Sequence, residues 1–194
     1  MVIKIHIYLF LVLAYMYAIQ NLESFIFTYM FIILHELAHV VIALILRVEI
    51  CEIELLPIGI NAKYRNEISS LKIFLISLAG PIASFLFYNF LKVAFLKNIN
   101  LLIAITNLIP LKPYDGGKII HSLLSLLIGD KKANKISITI QKISLNLLGV
   151  IAIISLVKFK NYYLVIACIY MICIVKEDLK NEKFNDLIKY LQIE

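Results

Sequence analysis

Apolar residues come in long runs separated by short polar stretches, at approximately Val2–Ile19, Phe25–Leu46, Ile73–Leu91, Ile99–Ile128, Ile136–Val157 and Tyr162–Val175. Crossing a hydrocarbon core of about 30 Å takes roughly 20 apolar residues of helix. The pattern therefore predicts an all-α integral membrane protein of about six transmembrane helices. The last run is short, so five spans remain open. The fourth run carries Pro110, Pro113, Gly116 and Gly117 within it, which predicts a broken span. Two further segments do not span. Cys51-Glu52-Ile53-Glu54-Leu55 alternates apolar and acidic residues before Pro57-Ile58-Gly59, which reads as a short β-hairpin-like segment between spans two and three. In the tail, residues 176–194, Phe184, Leu187, Ile188 and Leu191 recur at helical spacing and predict a cytoplasmic amphipathic helix lying on the membrane or on the bundle.

Composition narrows the class. The 194 residues are 62% hydrophobic and 16% charged, against about 25% charged in soluble domains, and mean hydropathy is +0.92. No stretch is left for a separate soluble domain, so the expectation is a single polytopic membrane domain over 1–194. The net charge of +6 does not point to nucleic acid, because the cations lie between apolar runs rather than in a basic stripe interleaved with aromatics. With the N terminus inside, twelve Lys and Arg fall on inner segments and four on outer ones. That asymmetry places both termini, and access to any site near the inner face, in the cytoplasm of a multi-pass cell-membrane protein. No Ala-x-Ala-like site closes the first run, so it reads as a retained helix and not a cleaved signal. Cys51, Cys168 and Cys173 form neither a Cys-x-x-Cys pair nor a disulfide framework.

The second run contains His35-Glu36-Leu37-Ala38-His39. Residues i and i+4 share a helix face, so both imidazoles reach one zinc ion while Glu36 is placed to act as general base on a water. From this composition, chance produces the pattern at a rate of roughly 0.4%. A carboxylate at the centre of a spanning helix also costs about 2.5–3.5 kcal/mol on insertion scales, so such residues face a cavity or a partner. The structural alternative has the two histidines making interhelical hydrogen bonds with Glu36 as partner. Catalytic zinc takes three protein ligands and leaves one position open, so a third ligand is needed. Asp115 leads, because Pro110-Leu111-Lys112-Pro113-Tyr114-Asp115-Gly116-Gly117 unwinds a span where only a buried or watered backbone is tolerated. Running inward from Phe25 and from Ile99, His39 and Asp115 lie at depths of roughly 21 and 24 Å, so the two elements meet near the cytoplasmic face. Glu52, Glu54, Glu67 and His121 are weaker competitors, and an ion pair with Lys112 is the alternative for Asp115.

Together, His35-Glu36-Leu37-Ala38-His39, Asn107-Leu108-Ile109-Pro110 and Pro113-Tyr114-Asp115-Gly116-Gly117, with Ala79-Gly80-Pro81 between them, resemble the site-2 protease family of intramembrane zinc metalloproteases. The resemblance runs from about Phe25 to Ile128 and looks most like the SpoIVFB sporulation branch. It implies one Zn²⁺ per chain on His35, His39 and Asp115, Glu36 as general base, and Asn107 near the active site. It further implies hydrolysis of a peptide bond in a membrane-associated precursor, a sporulation sigma factor on the mother-cell side of the forespore membrane, with inhibitory membrane proteins as partners. The chain departs from the pattern at Lys112 and Ser84, where many members carry Asn, and no C-terminal nucleotide-binding CBS domain is expected after Glu194. The segment from Glu49 to Asn61 would hold an extended substrate by strand addition, with a plain cytoplasmic loop as its alternative. A zinc-binding membrane transporter is the rival function, since intramembrane His, Glu and Asp also mark ion pathways.

Overall fold

The computed structural model describes residues 2–160, apart from 6, 19, 57–58, 65–67 and 113, together with positions 165, 169 and 172. The elements run β1 (Val2–Ile5), α1 (Ile7–Ala18), α2 (Leu22–Ile45), β2 (Ile50–Leu56), β3 (Gly59–Tyr64), α3 (Ser70–Phe90), α4 (Ala94–Asn107), α5 (Asp115–Ile128) and α6 (Asp130–Phe159). By length and composition, α2, α3 and α6 are able to cross a membrane. Leu44, Phe85 and Ile153 stand exposed on these three helices, as expected where lipid and not protein is the neighbour. The chain is a multi-pass membrane protein.

The bundle interior is correspondingly small and polar. His35, Ser77, Ser84, Asn100, Asp115 and Ser122 are all buried. Lipid gives apolar side chains no incentive to turn inward, so helices in a membrane associate through small residues and buried hydrogen bonds. The central helix is α3, which packs against α2, α4 and α5.

The fourth apolar run divides as its prolines and glycines require. Two helices of 14 residues each, α4 and α5, flank a break over 108–114. Leu111 anchors that break. Its side chain is fully buried against Ile109, Tyr114, Leu145 and Leu148, which ties the unwound segment to α6. Both glycines that follow are needed because the first turn of α5 lies on the backbone of the break. A Cβ at position 116 would come within 2.6 Å of Ile109 O, and one at 117 within 2.6 Å of Lys112 N.

Two expectations are corrected. The first run is not one spanning helix: Val2–Ile5 form a strand, and α1 has only 12 residues, about 18 Å of helix. The alternation of β-branched residues around Lys4 suits a strand, and β1 pairs in parallel with β2 from Val2 opposite Glu52 to Ile5 opposite Leu55. The fold is therefore not purely helical, because β2 also pairs antiparallel with β3 and the sheet order is β1-β2-β3. Apart from positions 165, 169 and 172, the sixth apolar run lies outside the described residues, as does the amphipathic tail. Where the sheet meets the bundle, Tyr64 and Ile68 pack on Ala43, Val48 and Ile76, and the Lys72 ammonium donates to Leu46 O at 2.9 Å, a favourable cation at the C-terminal end of α2.

Candidate metal centre

His35 and His39 lie one turn apart on α2 with ring centroids 5.0 Å apart. Both rings meet α3 at Gly80, where the absence of a side chain lets the α3 backbone approach the imidazoles. A Cβ there would fall 2.5 Å from His35 Nε2 and 2.6 Å from His39 Cε1. Two other positions on α3 orient the rings. His35 Nδ1 is hydrogen-bonded to the Ser84 hydroxyl at 2.8 Å, and His39 Nδ1 donates to the Ile76 carbonyl oxygen at 2.6 Å.

Asp115 opens α5 and brings its carboxylate to the same point. Its Oδ2 lies 3.1 Å from His35 Nε2 and 3.0 Å from His39 Nε2. Among the described residues, these three side chains are the one metal-capable cluster, with all three donor atoms within 4.8 Å of one another and all three residues buried. The competitors Glu52 and His121 are not in it, and Glu67 lies outside the described residues. The histidines turn their Nδ1 atoms to Ser84 and Ile76 and their Nε2 atoms to Asp115, which is not the arrangement in which Glu36 is their hydrogen-bond partner.

The donor chemistry suits zinc. A carbonyl oxygen only accepts, so the bond to Ile76 fixes the proton on His39 Nδ1 and, in the neutral ring, leaves a lone pair on Nε2. That buried atom makes no hydrogen bond and faces a carboxylate oxygen. Two acceptors 3.0 Å apart repel each other unless a cation sits between them. Zinc bonds of about 2.0–2.1 Å in tetrahedral geometry set their ligand atoms roughly 3.3 Å apart, close to the separations observed.

A cavity of about 240 Å³ adjoins the cluster, and Glu36, His39, Tyr64, Ser77, Asp115 and Lys118 line it. Glu36 thus shares one cavity with two of the three candidate ligands. Burial, reinforced by the nearby charges of Glu36 and Asp115, pushes the Tyr64 phenol above its usual range, so Tyr64 remains an O–H donor at the edge of the cavity. Lys118 lies 3.4 Å from Asp115 Oδ1. Asn107 ends α4, and its amide donates to Ile103 O at 3.0 Å, within its own helix. Neither motif exposes Tyr64, Lys118 or the use of Ser84. Spacing along the chain carries no signal for them, since they reach the site from β3, from the residue directly after the paired glycines and from the far side of Pro81.

The family model for peptidase family M50 matches residues 87–151. A zinc metalloprotease of Methanocaldococcus jannaschii is 33% identical over 133 residues, which are 61% of this chain and 39% of that protein. The chain thus spans about two fifths of the length of the curated relative it matches. The solved structure of a site-2 protease from the same organism superposes with a TM-score of 0.62 at 27% identity, covering 88% of this chain and 87% of that one. The chain thus combines a buried His35–His39–Asp115 cluster suited to zinc with similarity to peptidase family M50 over residues 87–151 and with a fold like that of a site-2 protease.

Proposed function

We propose that the protein is an intramembrane zinc metalloprotease that hydrolyses a peptide bond in a membrane-associated protein. The observation that carries this reading is the lone pair of His39 Nε2 facing Asp115 Oδ2 at 3.0 Å, beside a cavity that also holds Glu36. His35, His39 and Asp115 would hold the ion. When bound, zinc polarises a carbonyl and lowers the pKa of water toward about 7. Glu36 takes the proton from the attacking water and returns it to the leaving amine, which is general base followed by general acid work by one carboxylate. Tyr64 closes the cavity on the sheet side. Its strand, β3, is an edge of the sheet and offers an extended substrate a backbone to pair with, ending at the cavity.

The finer reading is activation of a sporulation sigma-factor precursor at the forespore membrane, with the active site reached from the cytoplasm. It rests on the resemblance to the SpoIVFB branch, in which Asn107 stands eight residues before Asp115, and on the distribution of Lys and Arg.

Co-expression of the protein with a membrane-tethered candidate precursor, beside a Glu36→Gln variant whose zinc content is measured, tests the central reading. Cleavage lost with zinc retained supports it. Undiminished cleavage by the variant removes Glu36 as the base, and zinc flux into vesicles that survives the substitution supports transport instead. A sigma-factor precursor left intact while other tethered substrates are cut removes the sporulation assignment alone.

A further inference from the structure

Lys118 occupies a place that helix stability does not explain. It lies in the first turn of α5, where a cation opposes the helix macrodipole, and its side chain is half exposed, at 51%. It lines the same cavity as Glu36 and Tyr64, and its Nζ lies 3.4 Å from Asp115 Oδ1, at i,i+3. The two oxygens of Asp115 are therefore divided. Oδ2 faces both histidine nitrogens, at 3.1 and 3.0 Å, and Oδ1 faces an ammonium.

We infer that Lys118 is a positioning residue that keeps Asp115 a one-oxygen metal ligand, an inference that rests on the metalloprotease reading above. A carboxylate with both oxygens free can bind a metal through one or through both. A catalytic zinc site takes three protein donors and keeps one position open, and a second carboxylate oxygen would crowd that position. The ammonium prevents this in two ways. It neutralises charge on Oδ1, and it holds the carboxylate against rotation about its Cβ–Cγ bond. An ammonium carries three donors, so one N–H engages Asp115 and the others remain directed to water or substrate in the cavity. Lysine at 118 thus performs the outer task that a carboxylate or carbonyl performs for a ligating histidine: it orients the ligand and sets its donor strength.

The test uses the full-length protein, stripped of metal and reloaded with Co²⁺, whose visible bands weaken as coordination number rises above four. Wild type shows the intense bands of a four-coordinate site. Lys118→Met, which keeps the length of the side chain and removes its charge, shows the weaker bands of a higher coordination number. Its kcat on a membrane-tethered substrate, measured with zinc, falls about 10- to 100-fold, the usual cost of losing a metal ligand's partner, with KM nearly unchanged. Lys118→Arg retains both the charge and the donors and restores the wild-type spectrum and most of kcat. A Lys118→Met protein with the wild-type spectrum and wild-type kcat overturns the inference while leaving the metalloprotease reading intact. A wild type that binds neither cobalt nor zinc overturns that reading, and the inference with it. Should Lys118→Met fail to fold, Lys118→Gln is read by the same two measurements.

Discussion

Replacing Gly80 by alanine adds one methyl group to α3 at the point where α2 presses both imidazoles against it. The added Cβ would meet His39 Nε2 and lie 2.5 Å from His35 Nε2, whereas non-bonded heavy atoms are most stable about 3.5–4.0 Å apart. The rings would have to retreat by about 1 Å. They are not free to do so, because His39 is held by Ile76 O and His35 by Ser84 Oγ. Overpacking of this kind costs about 1–3 kcal/mol, while alanine recovers roughly 0.8–1.0 kcal/mol of helix propensity over glycine. The net loss of stability is thus at most about 2 kcal/mol, and the bundle should still assemble. The metal centre tolerates much less, because ligand bonds of about 2.0–2.1 Å do not survive a 1 Å shift of two donors, and misplacement of that size costs about 100-fold in rate. The expected Gly80→Ala protein is folded by circular dichroism and monodisperse in detergent. Elemental analysis should find little zinc in it, and its cleavage of a tethered substrate should fall at least about 100-fold. A variant that retains one zinc per chain at wild-type affinity refutes the assignment of Gly80 as the space into which the imidazoles fit.

The supporting residues lead to milder outcomes. Ser84→Ala leaves the buried His35 Nδ1 without its hydroxyl partner, and zinc affinity measured by chelator competition should fall about 10- to 100-fold. Ser84→Asn, which restores a polar side chain, should recover part of it. Leu111→Ala empties the fully buried anchor of the break and should lower unfolding stability by about 2–5 kcal/mol, read from denaturant titration in mixed micelles. An unchanged midpoint would show that α6 does not hold the break. Stripping the metal from wild type leaves His39 Nε2 and Asp115 Oδ2 facing each other without a cation, so the thermal midpoint should fall with chelator and recover on adding zinc, by mass action on the native state. A midpoint indifferent to chelation would remove the three side chains as a binding site.

The grouping of these side chains was legible because a membrane segment penalises polar residues. Against a 62% apolar background, His35, Glu36, His39 and Asp115 stand out, and helical spacing with matched depth is enough to bring α2 and α5 together. The break over 108–114 was legible for a related reason: proline and glycine have local consequences that do not depend on the fold. The first apolar run was misread because four β-branched and basic residues followed by a helix have nearly the same hydropathy as a continuous span. Only pairing with β2, some fifty residues away, selects the strand.

The supporting role of α3 is hidden for a different reason. In the sequence it is another apolar span with small residues at Ser77, Gly80 and Ser84, and small residues line helix packing seams in membranes generally. In the structure that seam orients both histidines. Ile76 contributes a backbone oxygen, Gly80 contributes space and Ser84 contributes a hydroxyl. No side-chain identity at position 76 announces a carbonyl, and a glycine's contribution is a void. Consequently α2 and α5 supply the donors, but the tautomer of His39 and the aim of both imidazoles are set by a helix with no titratable residue near the site. Substitutions confined to the two recognisable motifs would therefore locate the ligands and still leave unexplained why a change of one methyl group on α3 empties the centre.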